Sequence, residues 1–202
     1  MKLILASQSP RRKDLLQRMG VDFDVVPSNF EEYFDQQKQA EVVAIELGLG
    51  KAQAVALDYP DDIVIGGDLI VVLDGTQLGK PKDEDEAYSM LKNFSGRSHV
   101  IITSVALVCK RKNYQRASIE KSTITFDDIP DDVIREYIKI GNPYDKGGGY
   151  AIQHPLLRPY VKKIDGRIDT IVGMPTNLVA KFLADFGYKL ESVELSGDEL
   201  IL

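Results

Sequence analysis

The sequence predicts an α/β protein. Short apolar runs bounded by turn residues alternate along the chain with longer stretches of helical spacing, which is the pattern of strands feeding helices. The most apolar run, Ile63 to Leu73, lies between two such stretches, Glu41 to Leu57 and Asp83 to Phe94. With 202 residues and 44% hydrophobic content, the chain is long enough for a sizeable core, in one domain or one domain with a lobe.

Taken in order, Leu3 to Ala6 reads as a strand that breaks into Ser7-Gln8-Ser9-Pro10-Arg11-Arg12. Ser9 can cap the free N–H groups of a helix over Pro10 to Met19, and Pro10 suits its first position. Phe23 to Val26 reads as a second strand, and Glu41 to Leu57 as a helix despite Gly48 and Gly50. Ile63 to Leu73 reads as one strand around Gly66-Gly67-Asp68, ended by the tight-turn pair Asp74-Gly75. Asp83 to Phe94 is a helix with acidic residues at its start, closed by Gly96. His99 to Cys109 and Ala117 to Phe126 are β-rich and form a long hairpin across the basic turn Lys110 to Asn113. Asp131 to Ile140 is a helix stopped by Gly141, Asn142 to Gly149 a glycine-rich loop, and Pro175 to Phe186 the last helix. Residues from Ser196 onward are expected to fray. No internal repeat, low-complexity tract or linker divides the chain.

Composition narrows the partners. The net charge is −6, which disfavours broad binding to nucleic acid or anionic membranes. The first twenty residues nonetheless carry +4, from Lys2, Arg11, Arg12, Lys13 and Arg18 against Asp14. Two hydroxyls and two guanidinium groups at a helix mouth make an anion site, and a small anion suits an acidic protein. No apolar run approaches the about 20 residues of a membrane span, and Leu3 to Ala6 is shorter than a signal-peptide core, so a cytoplasmic location is expected. Cys109 lies in the apolar run after Val105 and reads as a buried strand residue. With one cysteine and two histidines, any metal is expected on carboxylates.

Asp68 is the first candidate for chemistry. A carboxylate inside an apolar strand is costly unless it is paired, metal-bound or beside a cleft. Its bland alternative is to satisfy backbone donors at a bulge made by Gly66 and Gly67. Lys51 is the one basic residue in its helical stretch, facing either a special partner or solvent. Lys80, in Gly79-Lys80-Pro81, would alone be a surface-turn lysine, and Glu31 and Glu32 would be a solvated loop unless Asp68 lies close enough for all three to hold Mg²⁺ or Mn²⁺. Neither Gly75 to Lys80 nor Gly48 to Lys51 is a P-loop: the first is one residue short and continues into Pro81, and the second lacks the upstream glycine and continues into Ala52.

Leu3-Ile4-Leu5-Ala6-Ser7-x-Ser9-Pro10-Arg11-Arg12, Lys51-Ala52, Gly67-Asp68, Leu78 to Pro81, Leu91 to Gly96, Pro143-x-Asp145-Lys146, Tyr150-x-Ile152-Gln153 and Val172 to Pro175 together resemble the Maf (septum-formation) family over nearly the whole chain. The resemblance implies one domain over residues 1–202, with a mixed central sheet flanked by helices, two lobes around a cleft and an architecture related to the inosine triphosphatases. It implies a cytoplasmic nucleoside triphosphate pyrophosphatase, often homodimeric, that needs a divalent metal and releases a monophosphate and pyrophosphate. Asp68 would then accept the proton of the attacking water, Glu31 or Glu32 with Asp68 would hold the metal, and Ser7, Arg12, Lys51 and Lys80 would hold the triphosphate. Base and tight metal ligand are competing roles for Asp68.

The resemblance places substrate preference at Arg11, Leu69 and Gln153. Arg11 and Gln153 match the branch acting on dTTP and UTP, and a Gln amide offers one donor and one acceptor to an imide edge. Leu69 fits neither branch, the dTTP and UTP branch usually having threonine there, which keeps 7-methyl-GTP or another modified nucleotide as an alternative substrate. A non-catalytic nucleotide-binding regulator of cell division is a separate alternative, against which Asp68 speaks. Gly50 before Lys51, Gly147 to Gly149, and His154-Pro155 also depart from the usual pattern.

Overall fold

In the computed structural model, which describes residues 1–195, a single long strand organises the sheet; the tail expected to fray from Ser196 lies outside the described residues. The elements are β1 (Leu3–Leu5), α1 (Pro10–Arg18), β2 (Asp24–Val25), α2 (Ala40–Asp58), β3 (Ile63–Gly66), β4 (Leu69–Leu73), β5 (Thr76–Leu78), α3 (Glu84–Phe94), β6 (Ser98–Cys109), β7 (Tyr114–Phe126), α4 (Asp131–Ile140), β8 (Val161–Asp165), α5 (Ile168–Val172) and α6 (Thr176–Leu183). Strands run in the order β2-β1-β3-β6-β4-β5, with β7 on β6 and β8 on β7. The β2-β1-β3 pairs are parallel and the rest antiparallel, so the sheet is mixed and the α/β expectation holds.

The predicted strand Ile63 to Leu73 is two strands. Both pair with the same edge of β6, end to end: Gly66 lies opposite Ala106 and Leu69 opposite Thr103. Three residues on one strand match three on the other, so the register continues through the break and only Gly67-Asp68 leaves the ladder pattern. The run is apolar throughout because side chains alternate between two covered faces. Leu3, Leu5, Ile63, Ile65, Val71, Ile101 and Leu107 point into the main core with α1, α3, α4 and α6. Ile4, Val64, Ala106 and Val108 point the other way against Ala52, Val55 and Ala56 of α2, and Ile70 and Ile102 against Val43, Ala44 and Leu47.

Gly48 and Gly66 exist for this second contact. A Cβ on Gly66 would lie 2.4 Å from the Gly48 carbonyl oxygen and 2.8 Å from the Ala52 nitrogen. One on Gly48 would lie 2.5 Å from Ser104 Oγ and 3.3 Å from Gly67 Cα. Helix and sheet therefore touch backbone to backbone, and the helical penalty of Gly48, about 1 kcal/mol relative to Ala, is accepted for the approach.

Other differences from the sequence reading are local. The hairpin's return strand begins at Tyr114 instead of Ala117, the turn closing with Asn113 at φ 47°. The last helix is α6 followed by a 3-10 turn over Ala184–Phe186. β5, β8 and α5 were not foreseen: β5 and α5 span three and five residues, and β8 carries Lys162 and Lys163 on an exposed edge. Cys109 is buried at the end of β6, as expected. Among the described residues no helix is long and apolar enough to cross a membrane.

His99 sits in the core, 2% exposed, sharing a hydrogen bond with the Tyr150 hydroxyl at 2.5 Å and packed among Phe94, Phe126 and Tyr150. Burial lowers its pKa to about 4, so the imidazole is neutral in the native protein.

Gly66→Ala is expected to lower stability by about 1–3 kcal/mol, because backbone atoms must move apart, whereas Gly79→Ala should change it by less than about 0.5 kcal/mol. Thermal denaturation of both variants checks this; Gly79 has no neighbour within 4 Å of a new Cβ. Acid should also destabilise through His99. Between an unfolded pKa near 6.5 and the native value of about 4, the unfolded chain binds the extra proton. Stability therefore falls as pH drops through that window, by up to about 3 kcal/mol, and the loss should shrink in His99→Gln when unfolding is followed from pH 7 to pH 4.

Candidate active site

The turn after β1 builds a cationic corner. Ser9 caps α1, its Oγ accepting the Arg12 N–H at 3.4 Å, and Pro10 occupies the first helical turn as the sequence predicts. Ser7 Oγ accepts from the Ser9 N–H at 3.2 Å and from Arg12 Nη1 at 3.3 Å. Arg12 Nε donates to the Gly173 carbonyl at 2.8 Å. Gly173 ends α5 with φ 114°, its N–H and that of Met174 both donating to the Asp169 carbonyl. Burial lowers the Arg12 pKa from its ordinary value, with the charges of Asp68 and Glu32 acting in the opposite sense. Arg12 remains a cation and feels both carboxylates.

Asp68 lies at the break between β3 and β4. Its N–H donates to Ser104 Oγ at 3.0 Å, its carbonyl accepts the Ser104 N–H at 2.8 Å, and Ser104 Oγ donates in turn to the Ala44 carbonyl of α2 at 2.6 Å. One hydroxyl thus ties the break to the helix. Lys51 Nζ, on the same helix, meets Asp68 Oδ1 at 2.5 Å and Glu32 Oε1 at 3.0 Å. Lys51 and Asp68 are 13% and 12% exposed at their side chains, Glu32 49%. The loop carrying Glu32 is seated by Phe30, whose ring occupies the place of a side chain at position 50: a Cβ on Gly50 would lie 2.3 Å from its Cζ.

Two carboxylates on one ammonium are hard oxygen donors set close together. Among the described residues no group of three or more His, Cys, Asp and Glu side chains is placed to hold a metal ion. Glu32 and Asp68 suit instead a magnesium-like ion that takes one or two carboxylates and completes its shell with phosphate oxygens and water.

Beyond Asp68 the chain enters a small cavity, about 50 Å³, lined by Arg11, Leu69 and Gln153 together with Lys146 and Gly147. The three residues assigned to substrate preference, 142 positions apart at their extremes, face one space. Leu69 fits between two glycines, its methyl groups 3.5 Å and 3.7 Å from where side chains would begin at Gly147 and Gly173. Lys146 is held in place by the Gly141 and Asn142 carbonyls and Asp145. A larger cavity of about 590 Å³ lies between Phe30, α2 and the tip of the β6–β7 hairpin, and none of the predicted site residues lines it.

Of the predicted residues, Ser7, Arg12, Glu32, Lys51 and Asp68 are joined by direct contact or mutual charge, and Arg11, Leu69 and Gln153 by the cavity. Glu31 and Lys80 are exposed and enter no ion pair with them; Lys80 lies beside Gly79, whose carbonyl accepts the Gly148 N–H at 2.9 Å. Ser104 was missed, and Gly173 stood only inside the Val172 to Pro175 motif with no role given to it. Each supports another residue from a distant part of the chain, and nothing local in the sequence marks that.

Residues 2–186 match the family described as Maf-like protein. The chain is 40% identical over 198 residues to the dTTP/UTP pyrophosphatase of Syntrophus aciditrophicus, covering 98% of this chain and 94% of that one. It is 42% identical over 177 residues to the protein of the same name from a Thermoanaerobacter species, covering 87% and 91%. The solved structure of the Staphylococcus aureus Ham1 protein is similar over 92% of this chain and 100% of that one, with a TM-score of 0.49 and 14% identity.

Proposed function

The chain belongs to the Maf family, and we propose that it hydrolyses dTTP and UTP, or modified pyrimidine analogues of them, to the nucleoside monophosphate and pyrophosphate. The observation that carries this reading is the convergence on one site of a buried carboxylate, Asp68, a cationic corner from Ser7, Arg12 and Lys51, and a cavity faced by Arg11, Leu69 and Gln153. Arg12, Lys51, Ser7 and the exposed Lys80 hold the triphosphate, as preorganised cations and hydroxyls do for charge that develops on phosphate oxygens. Asp68 takes the proton of the attacking water: Lys51 holds one carboxylate oxygen, and among the described residues no hydrogen bond occupies the other. Glu32 would hold Mg²⁺ or Mn²⁺ together with the phosphates, with Glu31 as the neighbouring carboxylate and Asp68 as a ligand only in place of its role as base. Such an ion supplies charge stabilisation at the phosphates and orients water. Gln153 reads the imide edge of the base with its amide, Arg11 and Leu69 completing the pocket. A house-cleaning role in the cytoplasm, as one domain that pairs into a homodimer, belongs to the same proposal.

A product assay over common and modified nucleoside triphosphates, with Mg²⁺ and with Mn²⁺, tests the reaction. Pyrophosphate and the monophosphate are expected from dTTP and UTP; orthophosphate as the first product would reject cleavage between the α and β phosphates. Asp68→Asn is expected to lower turnover by about 10²–10⁴-fold while nucleotide binding persists. If that variant instead loses Mn²⁺-dependent nucleotide binding, Asp68 serves as a metal ligand; unchanged turnover removes it from the mechanism.

A further inference from the structure

Gln153 is held by its backbone alone. Its side-chain amide makes no hydrogen bond among the described residues, although it faces the cavity. An amide that is to align a donor and an acceptor with a base edge must sit within about 0.5 Å of its productive place. The backbone around it must then be fixed by something else, and two buried rings do this. The Ala151 N–H donates to the Tyr137 hydroxyl at 2.9 Å, and the turn closes with the His154 N–H on the Ala151 carbonyl at 3.1 Å. The His154 ring then stands edge-on to Tyr137, 4.8 Å between centroids at 87°. Just before Ala151, Tyr150 is locked by its hydrogen bond to His99 inside the aromatic cluster.

Tyr137 is 0% exposed and comes from α4, which contributes no residue to the cavity lining. Its phenol stays neutral because burial raises its pKa to about 12, so it remains a hydrogen-bond partner across the working pH range. Gly141 keeps the ring in place: a Cβ there would lie 2.4 Å from Tyr137 Cε2. One side chain therefore touches the turn on both sides of Gln153 without itself lining the cavity.

We infer that Tyr137 is a positioning residue for base discrimination, acting through the Ala151 to His154 turn on the Gln153 amide. This rests on the reading of Gln153 as the residue that meets the base. The same contact makes sense of His154, which departs from the family pattern: it is the second surface on which Tyr137 bears.

The test is a double-mutant cycle read as the ratio of kcat/KM for UTP over CTP, whose base edge has donor and acceptor exchanged. Gln153→Ala is expected to lower the ratio. Tyr137→Phe, which keeps the ring and removes the acceptor, should lower it about fivefold, equivalent to about 1 kcal/mol, with kcat for UTP changed less than KM. In the Gln153→Ala background Tyr137→Phe should leave the ratio unmoved. Tyr114→Phe, which loses a hydroxyl bond to Asp185 and does not line the small cavity, serves as the control for stability loss without a change in ratio. If Gln153→Ala leaves the ratio unchanged, the base reading fails and the inference falls with it. If Gln153→Ala shifts the ratio but Tyr137→Phe does not, or shifts it equally in both backgrounds, Tyr137 is a core residue only. Should Tyr137→Phe fold poorly, His154→Ala removes the ring that Tyr137 meets on the other side of Gln153 and is expected to move the ratio in the same direction; an unmoved ratio overturns the inference.

Discussion

Everything at the candidate site hangs on a backbone contact that no side chain could share. Helix α2 lies against the sheet where Gly48 meets Gly66 and Gly67, and Ser104 fills the remaining gap by bonding to both the helix carbonyl of Ala44 and the amide of Asp68. From that contact Lys51 is less than one helical turn away, which brings its ammonium to Asp68. The apolar strand can therefore carry a carboxylate because the helix delivers its counter-charge at the break in the ladder. Buried charges persist when they are paired and hydrogen-bonded, and Asp68 has both kinds of partner.

The same economy governs the cationic corner. Arg12 is withdrawn from water, which works against its charge, and is compensated by Asp68 and Glu32 on one side and the Gly173 carbonyl on the other. That carbonyl belongs to a turn closed around Asp169, whose carboxylate is 1% exposed and accepts from Arg167, the Thr176 N–H and the Thr176 hydroxyl. The cations of the proposed polyanion site are thus already held by shared partners. Such groups are oriented before a ligand arrives, and little reorganisation remains when charge develops on it.

The departures from the family pattern look like separate losses in the sequence: threonine to Leu69, a glycine run, His154-Pro155, and a glycine before Lys51. In three dimensions they pack on neighbours. Leu69 occupies space left by Gly147 and Gly173, the Phe30 ring occupies the space left by Gly50, and His154 meets Tyr137. A large residue beside small ones conserves volume, which cores tolerate far better than an uncompensated change. Pairs of this kind are invisible along the chain because the partners are 17 to 104 residues apart.

Periodicity alone determined the α/β class, nearly every long helix and strand, and the burial of Cys109, since those follow from which residues must leave water and how often they recur. Local chemistry determined the Ser9-Pro10 helix start, and the oddity of a carboxylate in an apolar run marked Asp68. Tertiary structure alone decided that Ile63 to Leu73 breaks at Gly67-Asp68, that Glu32 reaches Lys51 while Glu31 stays in solvent, and that Arg11, Leu69 and Gln153 share one cavity. The division has a physical cause. Solvent exclusion and backbone propensity act within a few residues, whereas the distance between two charges depends on how remote segments pack.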